Sequence, residues 1–468
     1  MAARAAARKA VRTASAQPVA IAPLLRRIFA LAAPTGLLAA LQVVAQLIEI
    51  WLASRQGMAA FAGWAVVLPF AQLMQQMSTG AMGGGVASAI ARALGAGRRD
   101  EASALVVHAS LIAVVAGAAF GIVLAGFPAE VLGAVAGPEV AQAASGYAIW
   151  LFGAGAAPVW LANTFASVLR GGGRHALAAR ILALTWAGCP LLGWLLAEPL
   201  GMGLAGLGAG FALAFWGAAL AMAAAVWRGE AGFAPGFRVR PSRPLFNRIL
   251  SVGLVACGLA AIANLTTILV TAQVAAYGAA AVAAFGIAAR LEFLVIPAAF
   301  SVGSALTALV GHAVGAGDWA TARRIAWTGA WLVFAATGAA GLAVALAPVQ
   351  FAGLFSSDPE VVSIAARALS FTGLAFGMFG LGMALYFASM GAGRMRWPVL
   401  AALSRIGLAV GGGWLLAEPA GMGLDGYFLG VALGIAAYGL VTAIGVRPGA
   451  WTARAPTARA PTGAGRAG

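Results

Sequence analysis

The chain is built almost entirely from apolar runs long enough to cross a bilayer. A spanning helix needs about 20 such residues. Twelve runs qualify, at 28–52, 58–82, 103–126, 142–169, 175–197, 203–227, 247–271, 279–309, 322–347, 361–390, 396–416 and 424–445. Only 9% of the residues are charged and 62% are hydrophobic. Soluble domains are about 25% charged. The shortfall leaves too little polar surface to cover a water-soluble globule, so lipid must serve as the solvent. In hydrocarbon the backbone has to satisfy its own hydrogen bonds, and long helices do so. The expected fold class is therefore an all-α polytopic membrane protein. The 64 glycines fit this reading, because small residues let spanning helices approach closely. Pro34, Pro69, Pro158, Pro190 and Pro297 fall inside runs and should bend them.

The sequence repeats. Trp194-Leu-Leu-Ala-Glu-Pro199 returns as Trp414-Leu-Leu-Ala-Glu-Pro419, and Gly201-Met-Gly-Leu204 as Gly421-Met-Gly-Leu424. Gly95-Ala-Gly97 returns as Gly315-Ala-Gly317, and Gly173-Arg174 as Gly393-Arg394. Every pair keeps the same separation along the chain. A constant offset over four separate segments marks a duplication. Six spans per copy bring the chain back to its starting side, so the copies form a parallel repeat. The expected layout is a basic tail (1–24), an N-lobe of six helices (25–228), an inter-lobe loop (229–245), a C-lobe of six helices (246–446) and a disordered basic tail (447–468).

Charge sets the orientation. With both termini cytoplasmic, the inner loops hold Arg92, Arg98, Arg99, Arg170, Arg174, Arg180, Arg323, Arg324, Arg394, Arg396 and Arg405, with further arginines at 228–248. The outer loops hold acids such as Glu130, Glu139, Glu198, Glu418 and Asp425, and only Arg55 and Arg367 as cations. This is the positive-inside pattern of a multi-pass protein of the cell (inner) membrane. It also accounts for the net charge of +16 without nucleic acid, since no basic face with interleaved aromatics is present.

Two acids lie inside spans, Glu49 and Glu292. A carboxyl at that depth is costly and tends to be kept for a function. It can carry a proton, ligate a sodium ion or pair with a cationic substrate. Glu49 lies about 33 Å along a helix from Arg27. An interfacial acid paired with Arg55 is the plainer reading there. Glu292 lies about 22 Å past Tyr277, near mid-membrane, and a structural ion pair is its main competitor. Arg290, two residues away, does not share its helix face. Gln42, Gln46 and Glu49 do share a face, being spaced by four and three. With Gln72, Asn163, Asn264 and Arg290, these glutamines form the candidate substrate cavity. Interhelical hydrogen bonding is the competing reading for each.

Enzyme chemistry finds no constellation. His108, His175 and His312 have no metal or catalytic spacing with one another or with a cysteine or acid. His175 and His312 fall at inner loop edges and read as solvated. Cys189 and Cys257 read as packing residues. No Walker loop is present, so ATP is not the energy source. No cofactor is expected beyond a coupling H+ or Na+.

Gly80-Ala-Met-Gly-Gly-Gly-Val-Ala-Ser-Ala-Ile-Ala-Arg-Ala-Leu-Gly-Ala-Gly97 resembles the end of the second span in the multidrug and toxic compound extrusion (MATE) family. Ala283-Ala-Phe-Gly-Ile-Ala-Ala-Arg-Leu-Glu292 and Val310-Gly-His-Ala-Val-Gly-Ala-Gly317 resemble the matching segment of its second half. The resemblance implies twelve helices in two lobes that form a V around a central cavity. It also implies an antiporter that exports cationic or amphipathic small molecules in exchange for protons or sodium. Many members carry an Asp late in the first span, and Glu49 stands at that place. Other branches carry acids in the seventh and tenth spans. Here Ala263 and Asn264 occupy the first of these, and 371–390 contains no acid, which leaves the ion open. The alternative is a flippase or exporter of lipid-linked precursors from the same superfamily. Such proteins favour cationic cavities, and only Arg290 is clearly intramembrane and cationic here, which argues against that alternative. The expected partners are a small-molecule substrate and the bilayer, with no nucleic acid, and the chain is expected to be a monomer.

Overall fold

The apolar runs fold as helices, as a backbone in lipid requires. The computed structural model describes residues 21–236 and 239–451. Among them, twelve helices are long and apolar enough to cross a membrane, counting one bent pair as a single span. In the first half these are α1 (Ile21–Arg55), α2 (Met58–Gly95), α3 (Arg99–Gly126), α4 (Pro138–Ala154 and Ala156–Gly171), α5 (His175–Ala197) and α6 (Leu204–Trp227). The second half holds α7 (Arg243–Tyr277), α8 (Ala279–Gly315), α9 (Trp319–Leu346), α10 (Pro359–Ala392), α11 (Arg396–Ala417) and α12 (Leu424–Ile444). The two segments of α4 meet at 43°. Pro158, just past the break, has no N–H to offer the carbonyl of Ala154.

The duplication is visible in the backbone. Gly97 and Gly317 adopt φ of 73° and 80°. Gly203 and Gly423 both adopt φ 57°. Short helices at Pro128–Ala136 and Pro348–Gly353 follow α3 and α9, and their first prolines are equivalent positions of the repeat. The sequence places both stretches in loops. It also ends the second span at 82, but α2 continues to Gly95. Gly83–Gly85 therefore lies within a helix, where the missing side chains allow close packing rather than a turn.

Each lobe has its own core. Phe152, Trp160 and Phe215 are fully buried in the first, and Phe376, Phe428 and Ile435 in the second. Helix α1 belongs to both lobes. Its later residues Leu52 and Ala53 join the N-lobe core, while Leu24 and Ile28 pack among Ala299, Leu306 and Leu309 of α8. Pro34 lies between the two sets and removes one helical hydrogen bond there.

The lobes meet at the end that carries the Gly-Ala-Gly turns. A Cβ on Gly95 would lie 2.1 Å from the carbonyl oxygen of His312, and one on Gly315 would lie 2.2 Å from that of Arg92. Backbone therefore touches backbone where α2 crosses α8. Gly85 and Gly253 make a similar approach between α2 and α7, with a Cβ on Gly85 only 2.9 Å from the Gly253 nitrogen. Polar contacts reinforce the seam. The Ser88 hydroxyl donates to the Met390 carbonyl at 2.5 Å, and the Arg92 guanidinium donates to that of Gly391 at 3.0 Å. Arg248 on α7 pairs with Glu101 on α3.

The connection between the lobes is docked on α3. Gly236 N–H donates to Ser103 Oγ at 2.9 Å, and Ser242 N–H donates to His108 Nε2 at 2.8 Å. His108 in turn donates from Nδ1 to Ala104 O. The C-terminal tail expected from 447 begins as packed chain. Trp451 is buried, and its carbonyl accepts from Arg323 at 2.9 Å. Residues 1–20 and 452–468, which hold the rest of the two expected tails, lie outside the described residues.

The crossing is testable. Gly315→Ala should lower stability by about 1–3 kcal/mol, the usual penalty for overpacking. Thermal unfolding in detergent reads this as a lower midpoint. Gly188→Ala, whose Cβ would meet nothing within 4 Å, should leave the midpoint unchanged. A Gly315→Ala protein as stable as the parent would show that the crossing is looser than described.

Candidate ion-coupling site

The two intramembrane acids sit in different surroundings. In the N-lobe, Glu49 on α1 faces the start of α2 and the first segment of α4. Its Oε1 accepts from the Tyr147 hydroxyl at 2.7 Å and from Trp64 Nε1 at 3.3 Å. Tyr147 and Trp64 are both buried, and Trp64 stacks on Phe61 with centroids 5.8 Å apart. Among the described residues, no cationic side chain pairs with Glu49. Arg55, its expected partner, instead binds Glu198 through two hydrogen bonds of 2.8 and 3.3 Å. Those bonds hold the Glu198 carboxyl below the usual carboxylate range and leave Glu49 with neutral donors only.

In the C-lobe, Glu292 on α8 accepts from Arg405 on α11 at 2.5 Å. Their side chains are 11% and 14% exposed, so water screens the pair little. The Arg405 guanidinium also lies over the Phe379 ring at 5.2 Å. Thr266, Thr267 and Thr372 line the same cleft. The sequence places Arg405 in an inner loop. It lies well inside α11, one residue before the Ile406 end of that helix's first regular segment, where a π-helical turn at Gly407–Gly412 begins. Arg290 is therefore not the sole intramembrane cation. It is exposed on α8 and makes no ion pair with Glu292.

The neutral candidates divide. Gln42 and Gln46 are half-buried on the α1 face that carries Glu49. Gln72 is exposed on α2. Asn264 is exposed, and its amide donates to Ala260 O of its own helix. Asn163 is buried and donates to Gln75 Oε1 at 3.0 Å and Ser78 Oγ at 2.9 Å. Gln75 immediately precedes, and Ser78 lies within, a π-helical turn at Gln76–Met82 of α2. A second such turn, Ile149–Ala154, follows Tyr147 on α4. Turns of this kind often accompany functional sites, and the apolar pattern carries no sign of them. His175, read as solvated, is fully buried at the start of α5. Arg170, read as a loop residue, is buried inside α4.

The MatE family model matches residues 34–195 and 257–415, one stretch in each lobe. The chain belongs to the MatE family. That membership puts it among membrane transporters rather than enzymes. It is 28% identical over 211 residues to the multidrug resistance protein NorM of Burkholderia vietnamiensis, covering 44% of this chain and 46% of that protein. It is 27% identical over 254 residues to the probable multidrug resistance protein NorM of Xanthomonas campestris pv. campestris, covering 52% and 54%. The chain thus spans about half the length of these relatives. Among solved structures, the Vibrio cholerae MATE transporter VcmN in its bent form superposes with a TM-score of 0.82 at 20% identity, covering 91% of this chain and 97% of that one. A MOP superfamily transporter from Pyrococcus furiosus, described as having a binding pocket of reverse polarity, gives 0.80 at 21%, covering 90% and 94%. These structures establish the fold: two lobes of six spanning helices.

The C-lobe pair has a measurable energetic signature. Arg405→Leu should strand a buried carboxylate and cost roughly 3–5 kcal/mol. Replacing both residues, Glu292→Leu with Arg405→Leu, should recover most of that loss in thermal unfolding. A double variant no more stable than Arg405→Leu alone would rule out the pair as the cause.

Proposed function

We propose that this protein is a secondary antiporter of the cell membrane, exporting cationic or amphipathic small molecules by alternating access, with Glu49 as the coupling carboxylate. One observation carries the assignment. Glu49 meets only neutral donors, whereas Glu292 already has a guanidinium counter-ion. An acid without a fixed cation can take up and release a proton or exchange it for a cationic substrate. An acid bound to Arg405 has its charge balanced and serves to position α8 against α11. The relatives named as multidrug resistance proteins support export of small molecules as the activity.

The donors around Glu49 favour a proton over sodium. A hard cation needs several oxygen ligands. Here the neighbours are one hydroxyl and one indole N–H, and among the described residues no cluster of three or more His, Cys, Asp or Glu side chains is present. The arginine-rich end of the bundle is the cytoplasmic one by the positive-inside rule. The lobes touch at that end, so the conformation is open toward the outside, and both termini are cytoplasmic. Arg405 gives the lipid-precursor alternative no support, because its charge is neutralised by Glu292.

Uptake of a fluorescent cation into proteoliposomes of reversed polarity, driven separately by proton and sodium gradients, tests the assignment. The parent should respond to the proton gradient. Glu49→Gln should lose at least nine-tenths of that rate while still reconstituting. Full transport by Glu49→Gln, or a response to sodium alone, would refute it.

A further inference from the structure

We propose that Arg170 forms the core of a small-anion site between the lobes, at the end where they touch. Arg170 lies on the last turn of α4 and is only 4% exposed. It lines a cavity with Thr79 and Ser167 from its own lobe and Phe300, Ser304, Thr307 and Phe387 from the other. Among the described residues, no carboxylate or carbonyl accepts a hydrogen bond from its guanidinium. All 13 acidic residues of the sequence lie within the described part. At this end of the bundle, Glu101 holds Arg98 and Arg248, Glu230 holds Arg174, Asp318 caps α9 through Thr321 N–H, and Asp100 is exposed. None is left for Arg170. His175, buried at the same end, brings no negative charge.

A guanidinium taken out of water without a counter-charge is strongly unfavourable. Arg92 shows the other solution available to a cation at this seam, since it donates to the carbonyl of Gly391. Arg170 has no such acceptor among the described residues, so what completes its site must come from solution. One buried positive charge among glycines and two phenylalanines is balanced by a monovalent anion. A divalent anion would leave net charge in an apolar wall. The Ser167, Ser304 and Thr307 hydroxyls donate to Asn163 O, Ser301 O and Gly303 O of their own helices. Thr79 makes no such bond among the described residues and is the hydroxyl left to donate to the anion. Such a site suits chloride. Because both lobes line the cavity, a bound ion bridges them and is released when they separate, which makes the anion a ligand of this conformation.

The experiment uses the full-length protein in detergent. Its unfolding midpoint is followed as sodium chloride replaces sodium gluconate at constant ionic strength. A saturable rise of several degrees is expected for the parent, a flat response for Arg170→Gln and a curve moved to higher chloride for Arg170→Lys. Thr79→Val keeps the guanidinium and should move the half-saturating chloride concentration up several-fold, so it decides the matter if Arg170→Gln does not fold. The proposal is overturned if chloride and gluconate curves coincide in the parent, if Arg170→Gln keeps the rise, or if Thr79→Val leaves the half-saturation point unchanged. A rise with inorganic phosphate but not chloride would overturn the monovalent assignment. A rise that needs phosphatidylglycerol whatever the chloride would give the site to a lipid headgroup and overturn it equally.

Discussion

The structure depends on the crossing of two helix backbones, α2 and α8, at Gly95 and Gly315. Each glycine has the other helix's carbonyl oxygen where its own Cβ would stand. In lipid there is little hydrophobic gain from bringing two apolar helices together, so contact has to come from close van der Waals packing and a few hydrogen bonds. Glycine gives both, since it lets the backbones touch and exposes their carbonyls. The Ser88 and Arg92 contacts to the Met390 and Gly391 carbonyls of α10 add hydrogen bonds at the same seam. Just beyond the crossing, Gly97 and Gly317 turn the chain with positive φ, so one short motif sets both the crossing and the exit from the helix.

Duplication explains why the motif occurs twice, and the places where it fails carry the chemistry. The repeat offset carries Glu49, Trp64 and Tyr147 of the first lobe onto Leu269, Ala284 and Arg367 of the second. In the other direction it carries Glu292 and Arg405 onto Gln72 and Thr185. Neither polar site has a counterpart in the other lobe. The shared scaffold fixes where helices lie, and the unshared residues fix their electrostatics. The N-lobe has an acid among neutral donors, and the C-lobe has an acid neutralised by arginine. On the proposed reading, the charge of Glu292 is balanced by Arg405, whereas Glu49, held by Tyr147 and Trp64, is the acid that couples transport.

The twelve spans, the repeat and the two acids were legible in the sequence because each is a local or constant-offset pattern. What escaped depends on how helices turn about their axes. Tyr147 and Glu49 come from different helices far apart in the chain, as do Arg405 and Glu292. Nothing in the spacing pairs either. Arg405 is grouped with the inner-loop arginines by its closeness to Arg396, although the apolar run at 396–416 contains it and α11 carries it into the membrane. His175 and Arg170 looked solvated for a related reason, being close to a loop in sequence while other helices cover them. The π-helical turns leave no trace in hydropathy, since one extra residue per turn barely alters an apolar run.

The central claim is that one of the two acids changes protonation and the other does not. Proton release on adding a cationic substrate to purified protein, in weakly buffered detergent solution, measures this without a transport cycle. The account predicts release of a proton on substrate binding by the parent and by Glu292→Gln, and none by Glu49→Gln. Release that persists in Glu49→Gln, or that disappears in Glu292→Gln, would contradict it.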